Sequence, residues 1–181
     1  MKQDYNWLAS YSDIIRDKRV LELGSGPGLD TGTLNQYTQS VIATDLDPTV
    51  VVNGQTLIVD HSSGLPFEGG RFDVVVASLC LHYFTWAKTG EIMADIRRIL
   101  ETNGTLICRV NSDKDINYGA VGFPEIEPGL HLVKGKEKRF FKVAEIRDLL
   151  AGTYQLLSLT HKRIDRYHSP KYIYEFLAIT A

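Results

Sequence analysis

The chain has 181 residues, 44% hydrophobic and 23% charged, with a formal net charge of −2. That balance suits a single globular domain over 1–181 and leaves no basic footprint for nucleic acid. No run approaches 18 apolar residues and Met1-Lys2-Gln3-Asp4-Tyr5-Asn6-Trp7 lacks an apolar leader, so neither a membrane span nor a signal peptide is expected.

Trp7, Leu8, Tyr11, Ile14 and Ile15 recur at helical spacing and predict an N-terminal helix within 1–18. Arg19–Leu23 is nearly all apolar, as a strand buried on both faces requires. A glycine-rich turn follows, then a helix over Leu29–Tyr37, a second strand at 41–45 and a turn or short helix at Asp47-Pro48. Asn53-Gly54 signals a turn and 56–60 a third strand. Residues 61–71 read as loop, and Phe72–Ser78 as the fourth strand. The next helix starts at Thr85 or Thr89 and runs to about Glu101, with Ile92, Ile96, Ile99 and Leu100 on one face and Asn103-Gly104 as its stop. A fifth strand at 105–110 leads into a long connection, 111–141, too long to be structureless and expected to act as a substrate lid. Val143–Leu150 is a short amphipathic helix, and 156–161 and 172–180 are closing strands. Cys80 and Cys108 lie in apolar runs without metal-ligand spacing; they read as small buried hydrophobes, and a reducing cytoplasm is the expected setting.

This alternation predicts an α/β doubly wound, Rossmann-like sheet, with its last two strands antiparallel neighbours. Ligands in such sheets lie beyond the strands' carboxyl ends, where Gly24, Asp45, Asp60 and Ser78 fall. Glycines at 24, 26 and 28 allow positive φ and close approach of a ligand to the backbone. Asp45, 21 residues after Gly24, suits both hydroxyls of a ribose. Those features alone fit a nicotinamide dinucleotide or S-adenosylmethionine (SAM). Three others favour SAM: the turn is Gly-x-Gly-x-Gly; Glu22 would repel a pyrophosphate but suits a cationic amino group; and Asp60, with the His61 amide, suits adenine.

The chain resembles the class I SAM-dependent methyltransferases. Glu22-Leu23-Gly24-Ser25-Gly26-Pro27-Gly28 is similar to their first motif, and Asp45 to their ribose-binding acid. Asp60-His61-Ser62-Ser63-Gly64-Leu65-Pro66-Phe67 resembles their adenine loop, and the segments from Phe72 and from Ile99 their fourth and fifth strands. The resemblance implies a seven-stranded sheet, mostly parallel with the last strand antiparallel, and SAM as cofactor. It implies a cofactor set of Glu22, Gly24, Ser25, Gly26, Asp45, Leu46, Asp60, His61 and Ser78; the lack of metal-type Cys/His spacing leaves no metal expected. Only 14 residues separate Asp45 from Asp60, so the core is pared down. Leu81-His82-Tyr83-Phe84, Arg109-Val110-Asn111-Ser112 and Lys138-Arg139-Phe140-Phe141 resemble segments of compact bacterial methyltransferases, some of them labelled tellurite-resistance-like.

His82 is the candidate general base, since its ordinary pKa is near neutral; the alternative is a packed, shielding histidine. Tyr83, Arg109, Asn111, Tyr118 and Arg139 are the candidate substrate residues, with Arg109 able to clamp an anion or to pair structurally with a carboxylate. Ser78-Leu79-Cys80-Leu81 stands where methylases of nucleobase amines often carry Asn/Asp-Pro-Pro-aromatic, so the resemblance favours a small-molecule acceptor. A nicotinamide-dependent oxidoreductase and a non-catalytic SAM-binding module are the alternatives, and nothing in the sequence points to an oligomeric state.

Overall fold

The computed structural model describes residues 6–50 and 56–181. Its main sheet has seven strands: β1 (Arg19–Leu23), β2 (Ser40–Asp45), β3 (Thr56–Ile58), β4 (Phe72–Ser78), β5 (Leu100–Asn111), β9 (Tyr154–Ile164) and β10 (Lys171–Thr180). Their spatial order is β3-β2-β1-β4-β5-β10-β9. All neighbouring pairs from β3 to β5 are parallel, and β10 runs antiparallel to both β5 and β9. The order reverses between β1 and β4, which opens a crevice at their carboxyl ends.

The central strands are apolar on both faces because helices cover both. Leu21, Leu23, Val75, Ala77, Leu106 and Cys108 point to one core with α3 (Trp86–Ile99) and α4 (Val143–Leu150). Val20, Val74, Val76 and Ile107, in the alternate positions, point to the other with Trp7, Leu8, Ile15 and Leu34. Thr85 Oγ1 accepts the Lys88 amide and starts α3, and Glu145 accepts the Lys142 amide at the start of α4. The N-terminal element is shorter than its apolar spacing predicts: a 3-10 turn, Trp7–Tyr11, runs into one turn of helix, α1 (Ser12–Ile15). The second helix, α2, covers Leu29–Tyr37. Pro48–Val50 is a 3-10 turn, and the Asn53-Gly54 turn lies outside the described residues. Helix α3 stops at Ile99, before Asn103-Gly104, because Leu100 is already extended (ψ 142°); Asn103, at φ 59°, bends the start of β5 instead.

The connection 111–141 is ordered. It forms a separate antiparallel sheet of β6 (Glu125–Glu127), β7 (Leu130–Val133) and β8 (Lys136–Arg139). Lys134 and Gly135, both at positive φ, make the two-residue turn that joins β7 to β8. Phe141 then returns to the main sheet, its amide donating to Asn111 O and its carbonyl accepting from the Asp113 amide. This fixes the small sheet over the carboxyl end of β5, and β8 packs on the turn Leu81–Tyr83 that follows β4.

Candidate active site

A cleft of about 640 Å³ opens at the switch point between β1 and β4. Gly24, Gly26 and Gly28 have φ of 66°, 50° and 77°, so the turn after β1 depends on a conformation other residues resist. At Gly24 there is a second constraint: a Cβ would lie 2.5 Å from Cys80 Cβ, because the chain leaving β4 passes directly beside the turn. The Ser25 amide donates to Thr44 O, and the Gly26 amide donates to Asp45 Oδ2 at 2.8 Å. The Asp47 amide donates to Asp45 Oδ1 at 3.0 Å, so both carboxylate oxygens are aimed by backbone donors and each keeps a further lone pair for a ligand.

Asp60 caps the 61–63 turn, accepting from the Ser62 amide and from the hydroxyls of Ser62 and Ser63. Those bonds hold its carboxyl below the ordinary carboxylate range. His61 is buried behind it. Thr44 donates its only hydroxyl proton to Glu22 O, so His61 Nε2, 3.1 Å from Thr44 Oγ1, is the donor of that contact. Burial lowers the His61 pKa, against the pull of Asp45 and Asp60.

Glu22 is 2% exposed and accepts from Thr31 Oγ1 at 2.5 Å. Burial, with repulsion from Asp30 and Asp45, pushes its carboxyl up to about 7 against the Thr31 hydrogen bond. Beyond β4, Leu79 has φ 57°, uncommon for a branched-chain residue, and its amide donates to Arg109 O. Burial pushes the neighbouring Cys80 thiol up to about 12. His82 is buried, its ring 4.1 Å from that of Tyr83, with Nδ1 unpartnered. Burial, reinforced by Lys171 and Lys138, pulls its pKa well below the usual histidine value, so the ring stays neutral.

Seven residues expected at the site converge on the cleft: Gly24, Gly26, Asp45, Leu46, Asp60, His61 and Tyr83. Glu22, Ser25 and His82 are buried and do not line it, and neither does Ser78 at the end of β4. Four others lie elsewhere with partners of their own. Arg109, 1% exposed, donates to Glu175 at 2.7 Å and stacks on Trp7 at 3.7 Å, on the α1 side of the sheet. Asn111 Nδ2 donates to Arg139 O, while its Oδ1 is buried and unpartnered. Arg139 donates to Phe84 O and Pro128 O and pairs with Glu127, joining β8 to the segment after β4. Tyr118 donates to Ser169 O and lines a second, smaller pocket. Sequence reasoning missed Lys136, which reaches this cleft from β8. The Lys134-Gly135-Lys136-Glu137-Lys138 run was its only trace, and such runs ordinarily mark a solvated hairpin.

Residues 21–108 match the family model described as a methyltransferase domain. A stretch covering 48% of the chain is 31% identical to the uncharacterized methyltransferase sll0829 of Synechocystis sp.; the match spans 44% of that protein, less than half its length. A SAM-dependent methyltransferase from Methanosarcina mazei superposes with a TM-score of 0.78 at 14% identity, over 94% of this chain and 96% of its own. The Burkholderia thailandensis 1,6-didemethyltoxoflavin-N1-methyltransferase, solved with 1,6-didemethyltoxoflavin and S-adenosylhomocysteine bound, superposes with a TM-score of 0.71 at 22% identity, over 98% of this chain and 80% of its own. At 14% and 22% identity, these superpositions show a shared overall fold.

Proposed function

We propose that this chain, which belongs to the class I SAM-dependent methyltransferases and has SAM as its cofactor, transfers the SAM methyl group to a small-molecule acceptor. The observation that carries the reading is Asp45, its carboxylate fixed by the Gly26 and Asp47 amides at the mouth of a glycine turn. There it would accept the two ribose hydroxyls. Asp60 and the His61 amide would meet adenine, and Glu22, behind the turn, would face the cationic amino end of the methionine moiety.

The sulfonium already activates the methyl group. A lone pair on the acceptor forms the new bond to the methyl carbon, the S–CH3 bond breaks, and its electron pair stays on sulfur as the neutral thioether. The protein's contribution is alignment and exclusion of water, worth roughly 7–11 kcal/mol when the approach is in line. Leu79, Cys80 and Tyr83 line the end of the cleft nearest β4, where the acceptor would enter beneath the β6–β8 sheet. His82 lies one residue from Tyr83 and is neutral, the form that can accept a proton. Lys138 and Lys171 oppose the imidazolium, so a proton taken there has to be passed on. A small-molecule acceptor is supported by the cleft's size and by the named substrate of the Burkholderia neighbour.

The test is transfer of tritium from methyl-labelled SAM into a fractionated cell extract. Label is expected in the small-molecule fraction. Label confined to protein or nucleic acid overturns the acceptor class, and binding of S-adenosylhomocysteine without any labelled product leaves a binding module. Asp45→Ala is expected to weaken S-adenosylhomocysteine about 10- to 100-fold by calorimetry, the value of charge-assisted hydrogen bonds lost to a ligand.

A further inference from the structure

A pocket of about 300 Å³ lies on the β6–β8 sheet, between the 116–118 turn, the end of β7, β8 and the segment before β10. Its charged lining is Lys134 and Lys138, and no acidic residue is among the lining. Lys138 differs from its hairpin neighbours Lys134 and Lys136, which are exposed: it is half-buried, and burial together with repulsion from those two lysines lowers its pKa. The opposing charge it feels is Asp115, which is fully buried and already committed to Lys171 Nζ at 2.9 Å and the Tyr172 amide at 3.0 Å. Lys138 forms no ion pair among the described residues.

The apolar walls are Tyr118 and Phe123. Tyr118 is held at its hydroxyl by both the carbonyl and the amide of Ser169, with Lys171 Nζ 4.5 Å from its ring centre. Gly119 closes the floor: at φ 112°, with a Cβ position 2.6 Å from Val133, it lets the turn sit directly on β7. The pocket also adjoins the cofactor cleft. Lys136 lines the cleft and Lys138 the pocket, two residues apart on one face of β8, about 7 Å along the strand. The Leu81–Tyr83 turn, with the unpartnered Nδ1 of His82, packs against that strand.

Building on the methyltransferase reading, we propose that this pocket binds the anionic group of the methyl acceptor, a small organic carboxylate or phosphate ester with a flat apolar body, through Lys138. The ring would lie against Tyr118 and Phe123, and the rest of the acceptor would reach past β8 towards Tyr83. A half-buried ammonium whose opposing charge, Asp115, is already engaged by Lys171 gains from a charge-assisted partner, and a ligand anion supplies one.

The experiment is calorimetric titration of the full chain, with and without S-adenosylhomocysteine, using benzoate, phenyl phosphate and the neutral benzamide as probes. At least one anion should bind about tenfold or more tightly than benzamide, and the preferred anion identifies the group. Lys138→Met should lower the affinity of that anion about tenfold, Lys138→Arg should retain it, and Lys18→Met, at the opposite end of the main sheet, should leave it unaltered. Equal affinity for benzamide, no saturable binding of either anion, or an affinity indifferent to Lys138→Met overturns the proposal. Failure of S-adenosylhomocysteine to bind would overturn the methyltransferase reading separately, since the anion titration is also read without it.

Discussion

Two neighbouring cavities in this molecule are built by opposite means. The switch-point cleft presents Asp45, Asp47 and Asp60, and its shape is set by main chain: positive-φ glycines, a positive-φ Leu79 and backbone amides that aim carboxylates. The pocket on the β6–β8 sheet presents lysines and aromatic rings, and its shape is set by side chains on a hairpin. An acidic cleft suits a cofactor that carries a sulfonium and an ammonium; a basic pocket suits a different, anionic ligand. A main-chain site tolerates few substitutions at its hinge points, whereas a side-chain site can change specificity one residue at a time.

The sharpest way to break that contrast is Gly24→Ala. A φ of 66° costs an alanine of the order of 1–3 kcal/mol, and its Cβ would overlap Cys80 Cβ at 2.5 Å. The turn must shift, so we expect a lower Tm and the loss of measurable S-adenosylhomocysteine binding. Adding Cys80→Gly removes the overlap but not the φ cost, and should restore part of the stability. Unchanged cofactor affinity in Gly24→Ala would show that the turn does not define the cleft.

The same contrast explains what the sequence reveals. Main-chain sites leave local motifs, so the glycine turn, Asp45 and the alternation of strands and helices were legible, down to the antiparallel β10. Arg109 was not legible as a buried partner, because Glu175 lies 66 positions away and a lone arginine at a strand end reads equally as a ligand clamp. The β6–β8 sheet was hidden for another reason. Its strands are three or four residues long, too short for an alternating pattern to stand out from loop composition. Lys136 at the switch-point cleft follows from that hidden sheet and has no motif of its own.

A smaller effect is expected from Arg139→Met. This side chain is 1% exposed and ties Phe84, Pro128 and Glu127 together, so it clips the small sheet to the segment after β4. Glu127 stays partly solvated once its partner is gone, which keeps the loss near 1–3 kcal/mol, below that of a fully buried pair. Hydrogen exchange should quicken in 125–139, with β1 and β4 unaffected. Uniform quickening across the main sheet would instead make the two cavities parts of one cooperative unit.

The last effect is a pH dependence confined to the side of the switch-point cleft. Glu22 has a carboxyl pushed up to about 7 chiefly by burial, against an ordinary value of 4.5. Between those two pH values the folded protein keeps a proton that the unfolded chain releases. The stability this represents is therefore fully present below about pH 4.5 and is lost as pH rises through 7, by about 3 kcal/mol at most. Glu22→Gln cannot ionise, so above pH 7 it should melt higher than the parent chain, and near pH 4 the two should coincide. A cationic amino group beside Glu22 favours its ionised form, so the affinity of the parent chain for S-adenosylhomocysteine should rise from pH 6 to 8 as the stability of the empty protein falls. In Glu22→Gln that rise should disappear. If the variant keeps the slope of the parent chain, the ammonium does not meet Glu22, and its carboxyl answers only to the fold, through Thr31.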